Sequence, residues 1–514
     1  MKTINTQTNP QLTLQHSQKS REQTKRSLPA TVERKIGASS YALIVSLLII
    51  APVRIASAST VTLTPGANIQ AAINSNPAGT TFYLAPGVYR MQSLVPLNGD
   101  IFIGQTGATL NGSTLVTNWT KSGSYWVSSG HQPVKTPPNK FSCQSPQAAC
   151  TYPQDLFLNN KPLSHQLSLP ISSGQWYFDY AHGLIYMADN PSGQTVELSV
   201  TPRAFMGKAN NVKIQNLVIE KYASPLITAA VQPTGSGWII QNNEVRFNHG
   251  EGIKTQGNNE QVLSNKVDNN GEEGMCAGGG SGDLFEYNNV YNNNFTHVAF
   301  GIEMGGGKFS ATTNAQVINN TFSNNDGNGI WFDEQSYGSV ARGNTVTHNT
   351  KDGIRCEYSH HCLISNNVLT YNTQNQTTGT CTPNGREITI TASDYATVSG
   401  NTITSNCSGI FVGGQQQNEA VLPIGIVVTD NTITYSGSTV IYERIGGADG
   451  TLGSSSPLFN PKDGSYFDYN TYHFKSTSML NLTNWVWGGT AGQPYWKNWS
   501  QWRAAGQDTH GSAD

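Results

Sequence analysis

The chain has 514 residues, 52 of them glycine, and only 12% are charged, a composition that favours strands and turns over long helices. Its formal net charge is −2 and the basic residues form no stripe, which argues against a nucleic-acid partner or an anionic membrane surface.

The first segment reads as targeting rather than fold. Arg34 and Lys35 precede an apolar run from Tyr41 to Val53, followed by Arg54 and the small residues Ala56, Ser57 and Ala58, the pattern of a signal peptide and its cleavage site. The run is shorter than the roughly 20 residues of a membrane span. The stretch before it is long for an n-region, so either the start lies near Val32 or the segment stays as an N-terminal anchor. Export to the medium, the periplasm or the cell surface follows, with no other membrane association. Seven cysteines in an exported chain imply disulfides and at least one free thiol. Cys143 with Cys150 and Cys381 with Cys407 are candidate pairs, and other pairings stay open. No Cys or His spacing of the metal-binding kind occurs, so no metal ligand is assigned and no cofactor is expected.

From residue 209 onward the chain repeats. Asn216, Asn243, Asn265, Asn288, Asn320, Asn344, Asn366, Asn401 and Asn431 each stand two places before an apolar residue, from Val218 to Ile433. A second Asn recurs three places after the apolar residue, at Asn248, Asn270, Asn293, Asn325, Asn349 and Asn406. Then a glycine precedes another apolar residue, as at Gly252, Gly274, Gly329, Gly353 and Gly409, and at Gly301 after a short insertion. The shortest steps run from 265 − 243 = 22 to 344 − 320 = 24 residues. Short apolar strands punctuated by Asn and Gly at this period describe one turn of a parallel β-helix. Asn suits it twice: it tolerates a left-handed corner, and amides stacked on successive turns form a ladder.

Two acids share one phase of this repeat. In "GIWFD" and "GIRCE" Asp333 and Glu357 lie 11 residues after Phe322 and Val346, so the repeat places them side by side on neighbouring strands about 4.8 Å apart. With Ile330 and Ile354 inward, alternation turns Trp331, Asp333, Arg355 and Glu357 outward, toward solvent. Two adjoining carboxylates repel, so one is expected to hold a proton and the other to stay ionised. Glycoside hydrolysis uses that division, and a separation near 5 Å matches the retaining geometry. Trp331 offers a face for a sugar ring and Arg355 a fixed positive charge. Glu303 is placed in the column of Trp331 one turn earlier, as a third acid, and Lys254 and His360 border the same groove. The insertions at 294–300 and 371–386 are expected to wall it. His249, His297, His360 and His361 fall at turn positions and are read mostly as surface.

The Asn-x-apolar and Gly-Ile repeats resemble the right-handed parallel β-helix proteins of the carbohydrate-active type, over roughly residues 60–510. The stretch "IQAAINSNPAGTTFYLAPGVYR" is similar to their opening turn, and 115–200 resembles the small β-domain inserted in some glycosidase-like members. The Trp-x-Asp strand followed one turn later by Gly-Ile-x-x-Glu resembles the active-site strands of retaining β-helix glycosidases such as certain β-xylosidases. That resemblance implies Asp333 as nucleophile and Glu357 as acid/base, acting on a polysaccharide or oligosaccharide, in a monomer.

The expected fold class is therefore all-β, a right-handed parallel β-helix with a small inserted β-domain. Residues 1–58 are the signal or anchor, 59–114 the N-terminal turns and cap, 115–200 the insert, 201–448 the repeats with the groove, and 449–514 an aromatic-rich C-terminal cap. In that last segment Trp485, Trp487, Tyr495, Trp496, Trp499 and Trp502 form either a sugar platform or a buried cap over the open end. Two other functions compete with hydrolysis. One is a polysaccharide lyase or uronate epimerase with Lys254 or Arg355 as base and Ca²⁺ on the acids. The other is a non-catalytic glycan-binding surface protein.

Overall fold

The computed structural model describes residues 59–514 except 135–140, 148, 300–302, 374–384, 406–407, 415–420, 437–444, 450–454, 483 and 490–493. The predicted signal segment, Cys381, Cys407, Gly301, Asn406 and most of the 371–386 insertion lie outside these residues. Among the described residues no helix is long and apolar enough to cross a membrane.

Each turn of the chain contributes one strand to each of three long sheets, of 13, 13 and 12 strands, whose pairing between turns is parallel. One turn runs through Gln316–Ile318, Thr321–Ser323 and Asn328–Asp333. Its inward residues Val317, Phe322, Ile330 and Phe332 are fully buried and stack on the same positions of the turns before and after. The core is thus a column rather than a ball, and each turn buries its apolar face only against its neighbours.

The corners show why Asn recurs. Two consecutive residues divide the work: the first takes the left-handed conformation and the second turns its amide inward. Asn319 and Asn324 have φ of 57° and 54°, while Asn320 and Asn325 are buried. Each inward amide repeats one pattern. The backbone N–H and Nδ2 of Asn265 donate to Oδ1 of Asn288 at 2.9 and 3.0 Å, and Nδ2 also donates to the Ile240 carbonyl at 2.8 Å. One such ladder climbs from Asn243 to Asn470, the other from Asn248 to Asn372. Both end on a carboxylate: Asn470 donates to Asp508 and Asn372 to Glu387.

Two predicted ladder positions shift by one residue. Asn366 is the left-handed corner residue with φ 54°, and Asn367 carries the amide, which turns Leu369 rather than Val368 inward. Asn216 is likewise a corner residue, with Leu217 in the inward place, its backbone N–H donating to Asn243. A single Asn meets either requirement, so the sequence pattern does not say which of the two it meets.

A glycine column follows the second ladder. A Cβ on Gly329 would lie 2.5 Å from the Gly353 carbonyl oxygen and 2.5 Å from Val346 Cγ1, and Gly252, Gly274 and Gly353 are equally crowded. In the long turn between Gly274 and Gly329 this place belongs to Gly306, set one residue after the Gly305–Asn328 pairing, and not to Gly301.

Residues 113–199 leave the helix through Ser113–Leu115 and return through Val196–Ser199, which pair antiparallel with each other. Between them two small sheets of four and five strands enclose a separate core of Leu156, Trp176, Phe178, Ile185 and Leu198. Arg90 and Lys221 from the helix grip Glu197 of this insert. His249, expected at the surface, is instead buried between the two parts, with Nδ1 3.1 Å from Asp155 and Nε2 2.9 Å from the Cys150 carbonyl oxygen. Cys150 is bonded to Cys143, as one of the candidate pairings had it. A second disulfide, Cys356–Cys362, was not singled out from the sequence, and Cys276 is a buried free thiol.

Short helices stand near each end. Ile69–Asn74, capped by Asn68, buries Ile69 and Ile73 in the first turn's core. Trp499–Ala504, closed by a capping box between Asn498 and Gln501, buries Trp502. Of the C-terminal aromatics Trp485 and Trp502 are fully buried, whereas Tyr495 and Trp496 stay exposed.

Candidate functional site

The site lies on the outward face of the third sheet. Strand Asn328–Asp333 pairs with Ile354–Glu357 in the register Ile330 to Ile354, Trp331 to Arg355 and Phe332 to Cys356. The next step of that register sets Asp333 beside Glu357, on the face opposite the buried Ile330, Phe332, Ile354 and Cys356.

Outward does not mean open. Asp333 is 8% exposed, Glu357 5% and Trp331 6%. The expectation of a solvent-facing pair is corrected here, and the reason is the company the acids keep. Arg355 donates to Glu357 through two bonds, from Nε at 2.9 Å and from Nη2 at 2.7 Å, and through Nη1 to Asp352 at 3.1 Å. Lys308, one turn before, places Nζ 2.9 Å from Asp333 Oδ2. These pairs lay the side chains along the sheet. They also answer the repulsion expected between two bare carboxylates, since each acid has its own cation. Burial works to lower the proton affinity of Lys308 and Arg355, but their acid partners outweigh it and hold both above their usual ranges.

Trp331 sits between those two cations, its ring centre 4.2 Å from Lys308 Nζ and 5.6 Å from Arg355 Cζ. Its proposed stacking face for a sugar is thereby taken, and Trp331 serves as the apolar spacer of a charged strip. Lys308, not Glu303, is the residue one turn before Trp331 in its column, because the intervening insertion is longer than Gly301 implied. Glu303 stands just ahead of strand Gly305–Ser310, 3.6 Å from Lys254. His360 lies in the turn after Glu357, with Nδ1 2.9 Å from Asp394.

Toward the N-terminal side the strip grows more acidic. Lys254 Nζ donates to Glu251 at 2.8 Å, and Glu272, Glu273 and Cys276 pack nearby, all buried. Burial, reinforced by Glu251, pushes Glu303 up to about 7, and burial with the neighbouring acids lifts Glu272 and Glu273 well above the carboxylate range. Burial also raises the Cys276 thiol, with Glu251 adding to the effect. Lys254 is raised despite its burial, chiefly by Glu251. A cavity of about 330 Å³ opens onto this part, between Lys254, Glu273, Cys276, Glu303 and Lys308.

Sequence reasoning named Lys254 and Glu303 from this cluster but missed Lys308, Glu251, Glu272, Glu273 and Cys276. The signal was present for Cys276: the rule that turns Trp331 and Arg355 outward, two places after the column glycine, gives Lys254 and Cys276 at Gly252 and Gly274, whereas Lys308 needs Gly306, which only the structure identifies.

Residues 229–382 match the family model described as right handed beta helix region. Comparison with curated proteins gives no match. Among solved structures the chain is similar to "The complex structure of XylC with xylose" at 14% identity and TM-score 0.60, covering 81% of this chain and 84% of that one. It is also similar to the mannuronan C-5 epimerase AlgE4 A-module of Azotobacter vinelandii at 14% identity and TM-score 0.49, with 79% and 88% covered. A structure titled glycoside hydrolase matches at 9% identity and TM-score 0.39, with 79% and 99% covered. At 14% identity the likeness to the first of these is one of fold, and with the family-model match, the three parallel sheets and the stacked amides it establishes the architecture: the chain is a right-handed parallel β-helix protein.

Proposed function

We propose that the protein is an exported retaining glycoside hydrolase acting on a polysaccharide or its oligomers, with Asp333 and Glu357 as the reacting carboxylates. One observation carries the reading: the two acids occupy equivalent places on adjoining rungs of the outward face. Parallel strands lie about 4.8 Å apart, close to the roughly 5 Å that a double displacement requires between its two carboxyl groups.

The roles follow from the contacts. Asp333 meets one ammonium through one oxygen, Oδ2, an arrangement that suits a nucleophile attacking the anomeric carbon. Glu357, held by Arg355 through both oxygens, is assigned as the acid/base. The complex titled with xylose agrees in fold with a sugar substrate. The lyase alternative has less support, because Lys254 and Arg355 are each paired with acids that favour their protonated forms.

The test is a panel of nitrophenyl glycosides and charged polysaccharides, read for reducing ends and for ultraviolet-absorbing unsaturated products. Asp333→Asn and Glu357→Gln are each expected to lower release of reducing sugar by about 10²-fold to 10⁴-fold. Azide should restore turnover with retained configuration in the Glu357 variant and give the inverted glycosyl azide in the Asp333 variant. Undiminished hydrolysis in both variants overturns the assignment. An unsaturated product would make the protein a lyase, and retention on a polysaccharide without turnover a binding protein.

A further inference from the structure

The acids on the N-terminal side of the strip are arranged in a way that glycoside hydrolysis does not use. One ligand atom each from Glu251, Glu273 and Cys276 lies within 4.8 Å of the other two, and all three side chains are buried. Three consecutive turns build this corner: Glu251 opens strand Glu251–Thr255, Glu273 and Cys276 belong to the next turn, and Lys308 and Glu303 come from the one after. No sequence motif announces it, because the ligands meet only through stacking.

Four carboxylate oxygens of this corner, on Glu251, Glu272 and Glu273, are left without hydrogen-bond partners. Both carboxylate oxygens of the fully buried Glu273 lack one, as do Glu251 Oε2 and Glu272 Oε1. The other oxygen of Glu251 takes the Lys254 ammonium, and the other oxygen of Glu272 accepts from the Ile227 N–H at 2.7 Å. Glu260, Asp268 and Asp283 also leave one buried oxygen unpartnered, but among the described residues only Glu273 leaves both, and other buried acids are fully engaged. Asp508 is bonded to Asn470, Tyr472 and Trp502, Glu387 to Asn372, and Glu197 to Arg90, Ser113 and Lys221. A carboxylate buried without a partner costs several kcal/mol. A side chain such as Glu273, bordering a cavity with both oxygens unused, has the form of a ligand.

We propose that Glu251, Glu273 and Cys276 bind a divalent cation of the zinc class, with the remaining coordination position facing the cavity. The donor set selects the class. A thiolate beside two carboxylates is a borderline-soft set that suits Zn²⁺ or Co²⁺, whereas Ca²⁺ and Mg²⁺ take oxygen ligands only. Charge agrees: three anionic ligands, the Lys254 ammonium and a dication make a neutral cluster. Lys254 orients the first ligand by holding its other oxygen, as a metal-bound carboxylate is usually held by an outer partner. Binding exchanges the ligands' protons for the metal: the Cys276 thiol releases its proton to solvent, the sulfur lone pair forms the bond to the cation, and no oxidation or reduction takes place.

The experiment uses the full chain, stripped with a chelator and titrated with Co²⁺. The expected result is a thiolate-to-cobalt charge-transfer absorption that saturates at one equivalent and is displaced by Zn²⁺ but not by excess Ca²⁺. Cys276→Ser should abolish the band. Glu273→Gln should weaken Co²⁺ binding by at least tenfold while the far-ultraviolet circular dichroism stays that of the native fold. Zn²⁺ should raise the midpoint of thermal unfolding in the native chain and not in Glu273→Gln. A folded native chain that shows no such band, or an unchanged titration in Glu273→Gln, overturns the proposal. No step of the readout depends on a sugar, so its failure leaves the hydrolase reading standing, and the reverse holds too.

Discussion

Two polar columns run along this molecule, and they are built on opposite terms. The Asn ladders stand inside the corners, where every amide of the run receives and gives the same bonds, so that Asn293, Asn325 and Asn349 are interchangeable in kind. The charged strip on the outward face of the third sheet has no such repetition: its column reads Lys254, Cys276, Lys308, Trp331 and Arg355 from turn to turn. The ladder settles its hydrogen bonds on its own amides, on backbone carbonyls and on its two terminal carboxylates. The strip leaves Glu273 and parts of Glu251, Glu272 and Glu303 unsettled. Repetition with complete pairing is how the fold supports itself; variety with unpaired atoms is where it has something left to bind.

The largest expected effect on stability comes from breaking a ladder in its middle. Asn325→Ala removes the acceptor for the Asn293 backbone N–H and Nδ2 and the donor to the Val290 carbonyl, and should cost on the order of 3 kcal/mol in urea unfolding. Its neighbour sharpens the point: Asn324, exposed with φ 54°, supplies only a left-handed corner, so Asn324→Ala should cost about 1 kcal/mol. Equal losses in the two variants would show that the amide stack contributes nothing beyond corner geometry.

The glycine column between ladder and strip should come next. Gly329→Ala brings a methyl group to 2.5 Å from the Gly353 carbonyl oxygen and should destabilise by about 2 kcal/mol, measured in the same way. A variant as stable as the native chain would show that the rungs can separate to admit it.

A last contrast, read as a dependence on pH rather than as a single loss, lies at Glu387, where the second ladder ends on a carboxylate. Burial raises this group to about 8 from its ordinary 4.5, against the opposing bonds from Asn372. The folded state therefore keeps a proton that the unfolded chain releases above 4.5. Stability from this group is full below that pH, declines by at most about 1.4 kcal/mol per pH unit as pH rises toward about 8, and levels off beyond. Glu387→Gln, which cannot ionise, should gain in thermal midpoint relative to the native chain as pH climbs through this window. A difference that does not change with pH would remove the assignment.

How much of this was legible in advance differs between the two columns. The ladder's period, its inward Asn and the outward phase of Asp333 and Glu357 follow from spacing, because each turn is a copy in which one offset recurs. What escaped was the one-residue distinction at Asn366 and Asn367, since the corner residue and the ladder residue accept the same amino acid. The length of the insertion before Gly306 also escaped, and with it the identity of Lys308 as the neighbour of Trp331. The burial of the acids could not be read from alternation, which reports which face a side chain leaves by and not what then lies over it.

The sequence by itself determined a parallel β-helix, its rung length and the shared phase of Asp333 and Glu357, because a repeating local pattern dictates its own stacking; its right-handedness came from a resemblance. Only the tertiary structure decided which cations pair with those acids, that Trp331 is enclosed between them, and that Glu251, Glu273 and Cys276 come within reach of one another. Apart from Arg355 with Glu357 on one strand and Glu273 with Cys276 in one turn, those contacts join residues of different turns with unlike side chains. The distance between such groups depends on how irregular insertions are accommodated, and no period in the chain records it.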